Sequence, residues 1–213
     1  MASRREQRYE DILDISSRLF LEKGYERTSI QEIAAAVGVL KGSLYYYIDT
    51  KEDILYHVIR ANHENLVESM ESALSEVTGG GAIAKLHAFL AHHMTFVLAN
   101  VARSASFQFE FRSLTRDRQS EIIAFRRGYG QRLTELIRMA QQEGEVDPDV
   151  VPNVSGRALL SMFNSVLRWY RPGGPLGAGE ITDQYMTLAG RALGLGRCGA
   201  DWTQSLSTST GLR

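Results

Sequence analysis

Residues 28–51, T-S-I-Q-E-I-A-A-A-V-G-V-L-K-G-S-L-Y-Y-Y-I-D-T-K, constrain the fold more than any other stretch of the chain. The Thr28 hydroxyl can accept a backbone N–H three residues on, and Gln31 stands where a capping-box side chain reaches back, so Thr28 reads as an N-cap. Ile30, Ile33, Ala34 and Val37 follow at helical spacing and make one apolar stripe. Gly38 supplies the left-handed conformation that ends such a helix. Val39 and Leu40 then restart an apolar anchor and Leu44 continues it a turn later, which leaves Lys41, Gly42, Ser43, Tyr45, Tyr46 and Tyr47 for the other faces. Helix, short turn and helix is the spacing of a helix-turn-helix, whose second helix enters the major groove of DNA.

The side chains divide the work by their geometry. Gly42 has no Cβ, so the second helix can approach backbone or base edges closely, with Lys41 and Ser43 beside it as a charge and a short donor. Tyr45 can lay its ring on a thymine methyl or donate to a phosphate, Tyr46 can do the same from the adjacent face, and Tyr47 and Lys51 suit phosphates. Thr28 and Ser29, at a helix N-terminus, can hold a phosphate with help from backbone N–H groups. The competing reading of the three tyrosines is a core or dimer role.

Charge gives this reading no general support. The chain of 213 residues carries 24 Lys and Arg against 25 Asp and Glu, a net charge of −1, which argues against a non-specific nucleic-acid binder. Within the first sixty residues acids slightly outnumber bases, so affinity must come from placed groups, with Arg4, Arg5, Arg8, Lys41 and Lys51 as candidates. One cysteine, Cys198, leaves no intrachain disulfide and no cysteine metal cluster, which fits a reducing compartment. The N-terminus lacks the apolar region of a signal peptide and no stretch approaches the ~20 apolar residues of a membrane span, so a cytoplasmic protein is expected.

The pattern L-F-x-x-K-G-Y-x-x-T-S-I-x-x-I-A-x-x-x-G-V, Leu19 to Val39, with K-G-S-L-Y-Y-Y-I-x-x-K-E-D-I-L, Lys41 to Leu55, resembles the DNA-binding domain of the TetR family of bacterial regulators. The resemblance covers roughly the first quarter of the chain without a gap. Many such proteins have histidine and phenylalanine where this chain has Tyr47 and Ile48; a hydroxyl and an apolar plug are retained, and sequence preference is what the change can shift. The family implies an all-α fold: a three-helix reading unit, residues 1–50, on a larger helical domain for effector binding and dimerisation, residues 51–196.

The rest of the chain is consistent with that plan. Tyr9, Ile12, Leu13, Ser16, Leu19 and Phe20 recur at three and four and end at Gly24. Thr50, with Asp53 three residues on, caps a helix that Ile54, Leu55, Val58, Ile59, Leu66, Met70 and Leu74 carry to about Val77, roughly 40 Å at ~1.5 Å per residue. The glycines of Thr78 to Gly81 mark a linker, too short for a phosphate loop and without its Lys-Ser/Thr. Phe107, Phe109 and Phe111 alternate as in a strand, but a lone strand has no partner and the family has a short helix here, so a helix is expected. Further helices run to Gly144, from Val154 to Trp169 and from Glu180 to Gly194, with R-W-Y-R-P-G-G-P at Arg168 to Pro175 as a stop. Residues 197–213 are rich in Ser, Thr and Gly and are expected to be disordered.

In the resemblance the last two helices pair with their copies in a homodimer, through small and apolar positions Ser155, Ala158, Ser161, Ser165, Ala189 and Ala192. The family also implies a small, often apolar effector lodged between helices, with Met94, Phe96, Phe109, Tyr129, Phe163 and Trp169 as the best wall residues. The segment R-W-Y-R-P-G-G-P-L is similar to one in actinobacterial TetR-type repressors of sterol and fatty-acid breakdown, several of which respond to acyl-CoA thioesters; on that likeness Arg168 or Arg171 pairs with a CoA phosphate. His87, His92 and His93 do not form a metal site by spacing, no cofactor is implied, and no nucleophile elbow, paired carboxylates or dinucleotide loop points to an enzyme. The expectation is a repressor on double-stranded operator DNA. A ligand-independent DNA-binding activator, and an enzyme acting on CoA esters, are the alternatives.

Overall fold

The structure, a computed structural model, describes residues 4–196, and among them every regular element is helical. The order is α1 (Arg4–Lys23), α2 (Ile30–Val37), α3 (Lys41–Leu44), α4 (Lys51–Ser75), α5 (Gly81–Ala99), α6 (Val101–Ala105), α7 (Arg116–Gln142), α8 (Pro152–Asn164) and α9 (Ala178–Ala192). The segment with alternating phenylalanines is helical: α6 widens into a π-helical turn over Ser106–Glu110 and tightens to a 3-10 turn over Phe111–Ser113. The expected disordered tail and Cys198 lie outside the described residues.

Two compact units emerge. The first combines the chain up to Asn65 with Asn100–Phe125, and the second combines Leu66–Ala99 with the chain from Arg126 onward. The units therefore do not follow chain order, and α4 and α7 each contribute residues to both.

The first unit closes around Ile12, Leu13 and Phe20 of α1, Ile33, Ala34 and Val37 of α2, Leu44 of α3 and Ile54, Leu55, Val58 and Ile59 of α4. These are the helical-period positions of the sequence. Leu114 and Ile122 belong to the same cluster, with Phe107, Phe111 and Phe125 packed against it. Two arginines fasten this later segment polar group by polar group. Arg103 on α6 donates to Glu10 and Asp14 of α1 at 2.8 and 2.7 Å, and Arg118 on α7 pairs with Glu52 and Asp53 at the start of α4. Burial opposes the Arg103 charge, yet the two carboxylates outweigh it and raise its pKa. Asp53 feels the same contest: burial pushes its carboxyl up, while Arg118 and the Thr50 cap bring it net below the ordinary value.

The second unit is built on α5. Leu86, Phe89, Leu90, His93, Met94, Val97 and Leu98 are buried, as are Leu133, Leu136, Ile137 and Ala140 of α7, Leu159 and Phe163 of α8 and Ile181, Met186 and Ala189 of α9, and α5 packs on both α8 and α9. By length and composition α5 comes nearer to a membrane span than the sequence reading allowed. Its buried leucines, phenylalanine and methionine make it a core helix, whose apolar surface is taken up by other helices. Glu143 reaches back to its first turn, accepting from the Ala82 N–H at 2.7 Å.

Candidate functional site

The helix-turn-helix is set by local chemistry, one residue out of the expected frame. Ser29, not Thr28, is the N-cap of α2: its hydroxyl accepts from the Glu32 N–H at 3.2 Å, and the Glu32 carboxylate accepts from the Ser29 N–H at 2.9 Å. Glu32 therefore takes the place expected for Gln31. Thr28 is 1% exposed and its hydroxyl donates to the Gly24 carbonyl at 2.9 Å, answering a carbonyl at the end of α1. Its side chain is withdrawn from the surface. Lys23 donates to Glu32 at 2.8 Å, and with the Ser29 contacts it holds that carboxyl down at about 2. Gly38 ends α2 in the left-handed region at φ 76°, as expected, and its N–H and that of Val39 close back on Ala35 and Ala34.

After this turn the chain presents a polar edge. Lys41, Gly42 and Ser43 are exposed, and α3 is one short turn that Leu44 pins to the core. Tyr45 and Tyr46 are 44% and 70% exposed, and the Arg5 guanidinium lies 5.2 Å from the centre of the Tyr46 ring. An arginine of the N-terminal helix and a tyrosine after α3 are thus brought together as one stacked, cationic face. A Cβ on Gly42 would touch nothing within 4 Å, so the fold itself does not call for glycine there.

Two expected members of the site, and one expected anchor, stand differently. Lys51 donates to the Tyr25 and Glu26 carbonyls at 3.0 and 3.4 Å and sits 4.2 Å from the Tyr25 ring centre, so its ammonium ties the α1–α2 connection to α4. Tyr47 is half-buried against the core and edge-on to Tyr46 at 5.5 Å, which makes it a support for the tyrosine that is exposed. Leu40, read as an anchor, is 80% exposed at the N-cap of α3. Its exposure beside Lys41 is decided by where the turn after Gly38 points.

The expected effector residues divide between the units. Phe109 lies in the π-helical turn of the first; Met94, Phe96, Tyr129, Phe163, Arg168 and Trp169 belong to the second. Met94 and Phe163 are fully buried, while Arg168 and Trp169 are exposed at the end of the 3-10 turn Ser165–Arg168 that follows α8. Phe89, Tyr129 and Phe163 gather around a histidine whose spacing in the sequence makes no metal site. His93 is buried, its Nδ1 3.0 Å from the Tyr129 hydroxyl, and burial holds its pKa down at about 4. His92, its neighbour in sequence, turns instead to the Ser69 hydroxyl at 2.9 Å.

On the outer faces of α8 and α9, Val154, Ala158, Ser161, Leu188 and Ala192 are exposed. Ala189, expected among them, is fully buried in the unit's own core, because it lies on the α9 face that carries Ile181 and Met186 inward.

Comparison with known proteins agrees with this geometry. The family model described as bacterial regulatory proteins, tetR family, matches residues 12–58, and that of the tetracyclin repressor-like C-terminal domain matches residues 79–193. The HTH-type transcriptional repressor KstR2 of Mycobacterium tuberculosis (strain H37Rv) is 26% identical over 186 residues, 84% of this chain and 88% of its own. The TetR family transcriptional regulator PfmR from Thermus thermophilus superimposes with a TM-score of 0.76 at 34% identity, covering 84% of this chain and 97% of that one. AibR, in a crystal structure in complex with isovaleryl coenzyme A and operator DNA, gives a TM-score of 0.77 at 28% identity over 88% of this chain and 99% of its own. A family model spanning more than half the chain, a second on the reading unit, and a helix-turn-helix with its polar edge outward place this chain in the TetR family of bacterial transcriptional regulators.

Proposed function

We propose that this protein is a dimeric, cytoplasmic repressor that leaves its operator DNA when a small apolar effector, an acyl-CoA thioester, binds its second unit. The observation that carries the reading is the exposed edge of Lys41, Gly42, Ser43, Tyr45 and Tyr46 on a closed helix-turn-helix core, with Arg5 on the Tyr46 ring. These are groups for phosphates and base edges. Residues 1–50 act as the DNA-binding domain and residues 51–196 as the effector and dimerisation domain. A short recognition helix reads few base pairs and the chain has almost no net charge, so two copies supply two half-sites. The exposed small and apolar positions of α8 and α9 are the surface for that pairing. The thioester is supported by the ligand named for AibR, by the aromatic core of the second unit, and by Arg168 and Trp169 exposed at its edge. Met94, Phe96, Tyr129 and Phe163 then line the acyl chain, and Arg168 meets a CoA phosphate. An effector that favours the DNA-incompetent form needs a coupling of about 1–3 kcal/mol, for which α4, shared by both units, is the carrier.

The test is fluorescence anisotropy of the purified protein on DNA from upstream of its own coding region, with and without acyl-CoA thioesters. Saturable binding that Lys41→Ala with Tyr45→Ala weakens, and that a thioester reverses, is the expected result. Unchanged affinity in the double variant overturns the interface. DNA binding that no thioester alters overturns the effector class.

A further inference from the structure

The core of the second unit leaves one polar atom unanswered. His93 on α5 is 4% exposed, its ring tilted against those of Tyr129 and Phe163 at 5.6 and 6.1 Å, and its Nε2 has no hydrogen-bond partner. Asn164, next to Phe163 on α8, is a polar neighbour of the ring: its side chain favours the charged imidazole against burial, yet it does not meet Nε2 in hydrogen-bond geometry. The other nitrogen is engaged, since Nδ1 lies 3.0 Å from the Tyr129 hydroxyl of α7.

Two protons have to be placed on this pair. If Tyr129 donates to Nδ1, the imidazole proton sits on Nε2 and one donor is left over. If Nδ1–H donates to the phenol oxygen, both the phenolic proton and the Nε2 lone pair are left over. Stranding one buried group costs less than stranding two, so the Nε2–H form is favoured. Burial drives the Tyr129 pKa well above its ordinary value, which keeps the phenol a donor, and it keeps His93 neutral. The outcome is an uncharged N–H among aromatic side chains and the Asn164 amide, which suits an uncharged acceptor far better than a carboxylate or phosphate.

We propose that His93 Nε2–H is the polar anchor of the effector site and takes the carbonyl oxygen of an acyl thioester whose apolar chain lies among Phe89, Met94 and Phe163. The assignment rests on the thioester reading above and adds to it the atom that recognises the carbonyl end of the acyl group. It also links occupancy to shape. An acyl chain on Nε2 has to part Phe163 of α8 from His93 of α5, so the ligand acts on the packing of two helices at once.

The experiment compares binding of acyl-CoA thioesters of short, medium and long chain, isovaleryl-CoA included, with their S-alkyl thioethers, which keep the chain and the CoA but lack the carbonyl. Calorimetry on the wild type is expected to show the thioester bound roughly tenfold or more tightly, the discrimination a buried donor gives against a ligand that leaves it unpaired. His93→Phe is expected to bind both alike, and Tyr129→Phe, which frees Nδ1 and lets the proton move, to lose most of the discrimination while keeping the ring packing. If thioester and thioether bind the wild type equally, the anchor is overturned and the thioester reading stands. If neither binds, the thioester reading falls and the anchor with it. The wild type alone gives a second measurement: ¹⁵N spectra of the histidine rings at neutral pH are expected to show His93 in the Nε2–H form, and an Nδ1–H form overturns the assignment whatever the variants do.

Discussion

Asp14 of α1 and Arg103 of α6 stand 89 residues apart in the chain and are joined by a 2.7 Å hydrogen bond from the Arg103 Nε. Glu10, one helical turn before Asp14, takes the same guanidinium at 2.8 Å, so the planar head of one arginine bridges two carboxylates at i and i+4. The arginine is nearly buried and the carboxylates are half exposed. This fork attaches the segment after α5 to the first helix of the reading unit.

Arg103→Ala should therefore loosen the first unit without touching its exposed edge of Lys41, Gly42, Ser43, Tyr45 and Tyr46. Hydrogen bonds to charged groups contribute about 1.5–3 kcal/mol, and the exposed carboxylates can rehydrate, so a loss of about 2 kcal/mol is expected. Arg103→Lys should recover less than half, because an ammonium cannot serve both carboxylates in one plane. Urea denaturation followed by circular dichroism measures this. An unchanged midpoint for Arg103→Ala would mean that the fork is solvated and contributes nothing.

Gly42→Ala separates folding from reading. The added methyl meets nothing within 4 Å, and alanine is favoured over glycine inside a helix by up to ~1 kcal/mol, so stability should hold or rise. If DNA lies close against this turn, affinity for the operator falls by tenfold or more, a cost of about 1.4 kcal/mol. Parallel thermal melts and anisotropy titrations test both halves, and equal operator affinity would remove Gly42 from the interface.

Ser29→Ala should cost about 1 kcal/mol through loss of the α2 cap. The pH dependence has a definite sign. Glu32 is held at about 2 against an ordinary 4.5, chiefly by Lys23 and then by Ser29, so its contribution is full above pH 4.5 and is lost as pH falls toward 2. Glu32→Gln should remove that acid-side decline, and Lys23→Ala should shrink it. Equilibrium unfolding across this pH range, wild type against Glu32→Gln, reads the difference directly.

His93 imposes the opposite kind of limit. Its folded pKa of about 4 lies below the ordinary 6.5, so between those values the unfolded chain binds a proton that the folded chain refuses. Stability must fall as pH drops from 6.5 to 4, by roughly 3 kcal/mol over the whole range. His93→Phe should flatten that part of the curve. Stability that stays level from pH 6.5 to 4 in the wild type would show that the ring is hydrated.

Much of the reading unit is legible in the sequence because its rules are local. The apolar stripe Ile30, Ile33, Ala34 and Val37 and the left-handed Gly38 need only helical periodicity and backbone sterics, and the structure has them where the sequence puts them. The helical nature of 107–111 also matches expectation against its alternating phenylalanines, although its widening to a π-helical turn does not follow from the pattern. Thr28 and Ser29 are beyond reach of such rules. Both are good caps, and the choice between them depends on Gly24 presenting a carbonyl to Thr28. Lys51 differs from expectation for the same reason, since a lysine free to meet phosphate and one held by the Tyr25 and Glu26 carbonyls look alike in sequence.

By itself the sequence determined the helices and the glycine turn between α2 and α3, and the polar edge of Lys41, Gly42, Ser43, Tyr45 and Tyr46, because each depends on residues within a turn or two of one another. Only the tertiary structure decided which groups from distant parts of the chain meet: Arg5 on Tyr46, Arg103 between Glu10 and Asp14, His93 against Tyr129. Such pairs share no periodicity, and they form only where packing excludes water and each polar group must find its partner among those the fold brings close.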